Sequence, residues 1–371
     1  MKPARDTSVF VIAEAGVNHN GSLERARALV AAAAKAGADA VKFQTFKAEK
    51  VAAATAPKAE YQKAATGAGE SQLEMIRKLE LPDAAFQALA QDAVDLGIEF
   101  MSTPFDADSL DFLVRTVGMK RLKIPSGEIT NGPFLLAAAR AGLPLVVSTG
   151  MATMAEIEDA LGVIAYGITG AAEPPGAGAF ARAYAAARDR LASLVTLLHC
   201  TTEYPAPYAE VHLRAMDTMR ARFGLAVGYS DHTPGIAVPI AAAALGAVAI
   251  EKHFTMDRAL PGPDHKASLE PGELGEMVRA IRVVEAALGE TVKAPQPSER
   301  HNMAVARRSV VAARPIKKGE AFAPAMLDAK RPGTGISPMR HWELLGKTAP
   351  RDFAPDEAIE DEAIEEGTAK T

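Results

Sequence analysis

Short apolar runs rich in β-branched residues alternate along this chain with Ala-rich amphipathic segments. Eight of these runs read as strands, at 8–13, 40–44, 98–102, 121–124, 145–148, 194–199, 225–229 and 247–251. A strand rhythm broken by longer helical periods is what a parallel sheet with crossover helices requires. The segment 22–36 shows the local chemistry: Ser22 supplies an N-cap hydroxyl and Gly37 a residue suited to the helix stop. Eight such β-α units over about 285 residues predict an α/β fold, a TIM (β/α)8 barrel. From pattern alone an open doubly wound sheet is the alternative, and no GxGxxG turn supports it.

A Pro, Gly and Ala-rich stretch, 167–181, separates the fifth helix from the sixth strand. A connection from helix to strand lies at the barrel's N-terminal face, away from the usual active site, so this insert is not expected to be catalytic. The two prolines of 290–299 mark a linker, which gives three divisions: a barrel over 1–289, a linker over 290–304 and a small domain over 305–371. The small domain carries Val310-Val311, a Pro-Gly-Thr-Gly run at 332–335 and a weak echo between 316–320 and 353–357. Short strands and turns around a minor core are expected there, with the acidic end 356–366 as a solvated face.

Composition narrows the function classes. With 48% hydrophobic and 23% charged residues in 371, the chain can bury a sizeable core and is not disordered as a whole. Forty-one Lys plus Arg against 46 Asp plus Glu, with no dense basic block, argue against nucleic acid as a partner. The longest nearly uncharged run, 237–250, is shorter than the roughly 20 residues needed to cross a bilayer, so no membrane span is expected. Cys200 is the single cysteine, which excludes an intramolecular disulfide and fits a reducing compartment, with the cytoplasm as the expected location. The apolar start, 9–13, is interrupted by Glu14 and lacks a cleavage pattern, so it reads as a buried strand and not as an export signal.

Barrel chemistry gathers where strands end, and all eight strand ends here carry polar residues. They are Glu14 with Asn18 and His19; Gln44-Thr45; Ser102-Thr103; Lys123 with Ser126 and Glu128; Ser148-Thr149; 199–202; Ser230-Asp231-His232; and 251–253. One polar strand end is ordinarily a cap or a satisfied loop, but eight together point to a site. Lys123, leading into Pro125-Ser126-Gly127-Glu128, suits a phosphate or carboxylate ligand, or else a Schiff base; spacing does not separate the two. His232 and His253 end consecutive strands and would reach one divalent ion, Mn²⁺, Mg²⁺ or Zn²⁺, leaving positions open for water and substrate oxygens. No HxxxH or CxxC spacing strengthens that pair, and His19, His199 and His265 are rival ligands or structural hydrogen-bonders.

Nine motifs stand in order at these places. They begin with Ile12-Ala13-Glu14-Ala15-Gly16-Val17-Asn18-His19-Asn20-Gly21, Lys42-Phe43-Gln44, Ser102-Thr103-Pro104-Phe105, Lys123-Ile124-Pro125-Ser126-Gly127-Glu128 and Val147-Ser148-Thr149-Gly150-Met151. His199-Cys200-Thr201, Tyr229-Ser230-Asp231-His232-Thr233, Glu251-Lys252-His253-Phe254 and Pro261-Gly262-Pro263-Asp264-His265 follow. Over nearly its whole length the chain resembles the sialic acid (N-acetylneuraminate) synthase family, which includes the legionaminic and pseudaminic acid synthases. The segment with Lys330-Arg331-Pro332-Gly333-Thr334-Gly335 resembles that family's C-terminal antifreeze-like (SAF) domain.

The resemblance implies a transferase that joins phosphoenolpyruvate to an N-acetylated hexose of the N-acetylmannosamine type, giving a nine-carbon sugar acid and phosphate. It implies that His232 and His253 hold the metal, usually Mn²⁺, with Mg²⁺ or Co²⁺ as alternatives. Thr103, Lys123, Ser126, Ser148, Thr202 and Ser230 would bind phosphoenolpyruvate, and Gln44, Tyr204, Asp264 and Arg331 the sugar. Glu14, Gln44, Glu128 and His232 would be catalytic, with Glu14 or Glu128 as base or cation stabiliser. By the same resemblance Arg331 would reach the sugar's N-acetyl group from the partner subunit of a domain-swapped homodimer. Thr202 departs from the pattern, standing where some bacterial sialic acid synthases place Asn. The form of the first motif is closer to the sialic and legionaminic branch. A pyruvate-dependent lyase working through a Lys123 Schiff base, and a non-catalytic sugar-binding barrel, are the alternatives from other classes.

Overall fold

The computed structural model describes residues 8–67 and 69–365, and the chain divides into two compact units, Met1–Gly289 and Glu290–Thr371. In the first unit eight parallel strands alternate with helices: β1 (Phe10–Gly16), β2 (Ala40–Thr45), β3 (Glu99–Pro104), β4 (Leu122–Ile124), β5 (Leu145–Ser148), β6 (Val195–His199), β7 (Ala226–Asp231) and β8 (Ala249–His253). β1 pairs with both β2 and β8, and the sheet curls until β3 and β4 lie side by side, a nearly closed TIM-like barrel. The eight apolar runs therefore mark the eight strands, but several ladders continue past them. β1 runs to Gly16, β7 to Asp231 and β8 to His253, because the polar strand-end residues keep their backbone pairing.

Alternation along each strand separates two apolar layers. Ile12, Ala40, Met101, Val146, Leu198 and Ala249 fill the barrel interior, whereas Val11, Ala13, Val41, Leu197 and Ile250 face outward against the helices. The interior is tight at Gly228: a Cβ there would lie 2.5 Å from the Ala249 carbonyl oxygen and 2.7 Å from Leu198 Cδ2. The helix Leu23–Ala36 begins and ends as its sequence dictates, with Ser22 Oγ accepting from the Arg25 amide at 3.2 Å and Gly37 in the left-handed region at φ 82°.

Two stretches hold more helix than their Gly and Pro content suggests. The insert 167–181 is mostly helical: Met154–Thr169 runs through Gly167, Gly170 at φ 65° stops it, and Ala177–Ala186 starts a second helix in an Ala-rich run. Only 170–176 lies outside helices, and Tyr166 and Phe180 pack edge to face at 5.3 Å to hold the two together. The linker 290–304 is likewise not extended throughout, since Pro297–Ala306 is a helix with Pro297 in its first turn.

In the second unit β9 (Ser309–Ala312) and β10 (Leu327–Lys330) form an antiparallel pair. The two echoing segments meet at an antiparallel bridge between Ile316 and Phe353, over a core that includes Val310, Phe322, Leu344 and Ile359. Asp356, Glu360, Asp361 and Glu362 are exposed while Ile359 and Ala363 turn inward; Glu366 and the residues after it lie outside the described residues. Among the described residues no helix is long and apolar enough to cross a membrane.

Gly228→Ala is expected to destabilise the barrel by about 1–3 kcal/mol, because the nearest obstruction is backbone. Gly272→Ala, where no atom lies within 4 Å of the added carbon, is the control. Urea midpoints of the two variants against the wild type check this.

Candidate active site

A cavity of about 250 Å³ opens at the C-terminal ends of the strands. Its floor carries charged groups projected inward by neighbouring strands. Lys42 Nζ lies 2.5 Å from Glu14 Oε2, 3.6 Å from Glu251 Oε2 and 3.0 Å from the Thr103 hydroxyl. Lys123 Nζ lies 3.3 Å from Glu251 Oε1, which also accepts from Ser230 Oγ at 2.7 Å. All four charged side chains are at most 4% exposed.

Burial opposes charge on each of them, and the partners decide the outcome. For Glu251, burial is outweighed by Lys123, Lys42 and the Ser230 hydrogen bond, so this carboxylate stays ionised. Glu14 has Lys42 as its near cation and Glu251 as a repelling neighbour; burial prevails and pushes it up to about 7. Burial pulls Lys42 down, but Glu14 and Glu251 outweigh it and hold its pKa above the ordinary value. Lys123 is pulled down by burial, with Glu251 only partly opposing. Two lysines against one firmly ionised carboxylate make the floor receptive to an anion.

Hydroxyl donors surround the same space. Ser148 Oγ and Thr202 Oγ1 are buried without a hydrogen-bond partner, which singles them out as groups awaiting a ligand. Ser126 Oγ accepts from the Gly150 amide at 3.0 Å and sits 3.2 Å from Cys200 Sγ. Gly150 must lack a side chain, because a Cβ there would lie 2.2 Å from Thr202 Oγ1 and 2.8 Å from Ser126 Oγ.

On another side stand two imidazoles, His232 and His253, with ring centroids 5.4 Å apart. His232 Nδ1 lies 2.6 Å from the Thr201 carbonyl, so it carries the proton and Nε2 is left as an acceptor. His253 Nδ1 is buried without a hydrogen-bond partner, 3.7 Å from Asp264 Oδ2. Burial lowers both imidazole pKa values and raises Asp264 to about 6. Two neutral imidazoles with free nitrogens fit a divalent ion. Among the described residues no third His, Cys, Asp or Glu completes a protein ligand set, so water and substrate oxygens would have to. On the outward side of the same strands Lys252 and Asp231, both fully buried, pair at 2.5 Å and tie β7 to β8 one residue before each histidine.

Of the residues expected from sequence, Glu14, Gln44, Thr103, Lys123, Ser126, Ser148, Thr202, Tyr204, Ser230, His232, His253 and Asp264 line this one cavity. Glu128 does not: its carboxylate turns to Asn131 Nδ2 at 2.6 Å, in the short 3-10 turn after β4. Arg331 belongs to the second unit, exposed, with Nε donating to the Ala306 carbonyl. The rival histidines are used structurally: His19 Nδ1 accepts from the Gly21 amide, His199 Nε2 meets the Val211 carbonyl, and His265 bridges Thr255 and Asn20. Lys42 and Glu251 had no role assigned from sequence, although strand alternation marks them. Lys42 is two residues before Gln44 and Glu251 two before His253, hence on the same barrel-facing side. The wall formed by Gln62, Gln72, Met75 and Ile76 lay in a long connection with no strand-end signal at all.

Comparison with known proteins gives the family. The model of the NeuB family matches residues 29–293, most of the chain. The chain belongs to the NeuB family. A SAF domain model matches residues 307–365. An N,N'-diacetyllegionaminic acid synthase of Campylobacter jejuni is 48% identical over 94% of this chain and 98% of its own length. Human N-acetylneuraminate-9-phosphate synthase is 32% identical over 96% and 92%. The crystal structure of an N-acetylneuraminic acid synthetase from Leptospira borgpetersenii superposes with a TM-score of 0.64 at 33% identity, covering 80% of this chain and 90% of that one. This NeuB-family chain is thus an enzyme, a synthase of the legionaminic and sialic acid type.

The shift of Glu14 gives a pH signature. Its folded pKa, about 7, stands above the ordinary 4.5, so its favourable contribution is complete below 4.5 and is lost as pH rises through 7. In metal-free, substrate-free protein, the melting temperature of Glu14→Gln minus that of the wild type is expected to rise between about pH 5 and 7.5 and then level off. A difference independent of pH over that range would show that Glu14 is already ionised at pH 5.

Proposed function

We propose that this NeuB-family enzyme condenses phosphoenolpyruvate and water with the open-chain form of a 2,4-diacetamido-2,4,6-trideoxyhexose, giving N,N'-diacetyllegionaminate and phosphate. The observation that carries the reaction type is one cavity holding two buried lysines, unpartnered buried hydroxyls and two neutral imidazoles. The acceptor rests on relatives: synthases named for N,N'-diacetyllegionaminic acid are 48% and 47% identical, whereas a pseudaminic acid synthase is 32% identical.

In this reading Lys42 and Lys123 neutralise the phosphate and carboxylate of phosphoenolpyruvate, with Thr103, Ser126, Ser148 and Thr202 as donors, joined by Ser230 once its proton turns from Glu251 to the ligand. His232 and His253 hold a divalent metal, Mn²⁺ by the family pattern, which when bound draws electron density from the aldehyde. Gln44, Tyr204 and Asp264 orient the sugar. Carbon 3 of phosphoenolpyruvate attacks the aldehyde carbon, and the cation left at C2 takes up water. The tetrahedral product of that addition releases phosphate by C–O cleavage. Glu14 is the proton-transfer group, because it lines the cavity and its pKa lies near neutrality, which suits a carboxyl that must both take and give a proton. Glu128, turned toward Asn131, has no part in the chemistry.

Lys123→Ala is expected to raise the phosphoenolpyruvate KM about 30- to 5,000-fold, the cost of removing a buried cation from an anion, with a much smaller effect on the acceptor. Covalent labelling of Lys123 by pyruvate and borohydride would instead assign it a Schiff base. Chelation should abolish phosphate release and Mn²⁺ restore it, and His232→Ala should lose metal content and rate together. Full activity in protein shown by elemental analysis to be metal-free would overturn the metal assignment.

A further inference from the structure

The connection between β2 and β3 is long for a barrel loop. Before the helix Asp83–Asp95 it forms three short helices, Ala48–Val51, Glu60–Thr66 and Gln72–Arg77. It is a built element and not a slack one. Lys58, 4% exposed, ties Glu70, Thr66 Oγ1 and the Gly67 carbonyl together, Ser71 and Glu74 form a reciprocal cap, and Glu80 accepts from the Ala48 amide. One face of this loop lines the cavity whose floor carries the charges.

That face has a chemistry unlike the floor's. Phe46 and Leu79 belong to a small apolar cluster with Ile76 and Phe105 packed against it, and all four line the cavity. Among them stand two half-buried carboxamides, Gln62 and Gln72. The Ala59 amide donates to Gln62 Oε1 at 2.9 Å, and Gln72 Nε2 reaches the same oxygen at 3.5 Å. These contacts fix both amide orientations and leave two groups over: the Gln62 NH₂ as a donor and the Gln72 carbonyl as an acceptor. A secondary acetamide offers one carbonyl acceptor and one N–H donor, which is the complement of that pair. The apolar side chains beside it match a methyl group. A CH₂OH in the same place would exchange its hydrogen bonds to water for contact with hydrocarbon.

We infer that Gln62 and Gln72 read the second acetamido group of the acceptor, and that the wall of Phe46, Ile76, Leu79 and Phe105 receives its deoxy methyl group. This rests on the proposed acceptor and says which residues select it. The chemistry at the strand ends acts on C1 of any N-acetylated hexose; the wall distinguishes a 4-acetamido-6-deoxy sugar from one bearing hydroxyls at both positions.

The test uses three acceptors with the full-length, Mn²⁺-loaded enzyme: 2,4-diacetamido-2,4,6-trideoxymannose, 2-acetamido-2,6-dideoxymannose and N-acetylmannosamine. The wild type should prefer them in that order. In Gln72→Met, which keeps bulk and removes the acceptor, the kcat/KM ratio of the first sugar to the second should fall about 10- to 100-fold, as one or two lost hydrogen bonds predict. Gln62→Met should act in the same direction. In Ile76→Asn the ratio of the second sugar to the third should fall about tenfold, the discrimination a methyl-sized apolar contact provides. A loss shared equally by all three sugars, with the ratios kept, overturns the inference, since a merely structural role would act that way. A wild type that prefers N-acetylmannosamine overturns the acceptor reading and this inference with it. A wild type that prefers the diacetamido sugar, with ratios unmoved in every variant, overturns only the assignment of the wall.

Discussion

Lys42 sits between Glu14 and Glu251 at the floor of the barrel mouth, with Lys123 on the far side of Glu251, and water reaches almost none of the four. Each buried ion costs several kcal/mol of lost hydration even after relaxation, so such a cluster persists only where alternating signs and fixed hydrogen bonds offset the loss. The parallel sheet supplies that alternation. Glu14 faces Lys42 across the β1–β2 register and His253 across the β1–β8 register, while Ser230 faces Glu251 between β7 and β8. Backbone pairing therefore fixes the order of charges, and the side chains have little freedom to rearrange it.

The apolar layer beneath makes this rigid. Ile12, Met101, Val146 and Leu198 close the barrel below the charges, and Gly228 lets the Ala249 backbone approach where a side chain would part the strands. Above the floor Gly150 does the reverse: it leaves room for ligand-facing hydroxyls on Ser126 and Thr202 that any side chain would occupy. The fully buried Asp231–Lys252 pair lies on the outward side of β7 and β8, also held by Tyr229 and Thr233, so the two histidines that follow it are placed by these strands and not by loops. Replacing one member alone would leave an uncompensated charge in the barrel wall.

How much of this was legible in the sequence follows from what each feature depends on. Strands depend on local apolar runs, so all eight could be found, and strand ends carry chemistry by geometry, so twelve expected site residues meet in one cavity. Glu128 was placed there because it ends a motif; the 3-10 turn Ser126–Glu128 directs it elsewhere, and no periodicity marks a turn of that length. The helix content of the insert was not legible because Gly167 and Gly178 sit inside its helices, and only Gly170, Pro174, Pro175 and Gly176 mark the true break. Lys42 and Glu251 were visible in principle, by counting two residues back from Gln44 and His253. Alternation gives the side a mid-strand lysine faces, but which carboxylate it meets depends on register between strands, which one sequence does not disclose.

On the proposed reading, chemistry and selectivity occupy different parts of this barrel, and the separation has a physical consequence. The groups proposed to act on phosphoenolpyruvate and C1 of the acceptor lie on or directly after strands whose backbone is pinned on both sides, so altering one disturbs its neighbours across the ladder. Phe105 apart, which follows β3, the apolar wall and its two carboxamides lie on the β2–β3 connection, held by its own caps and by Lys58. On the inferred role of the wall, substitutions on that connection change what the cavity accepts without moving the charges on its floor. Relatives named for legionaminic, pseudaminic and N-acetylneuraminate-9-phosphate products all align over more than 90% of this chain, so one fold carries differently named products and the difference must lie in local side chains.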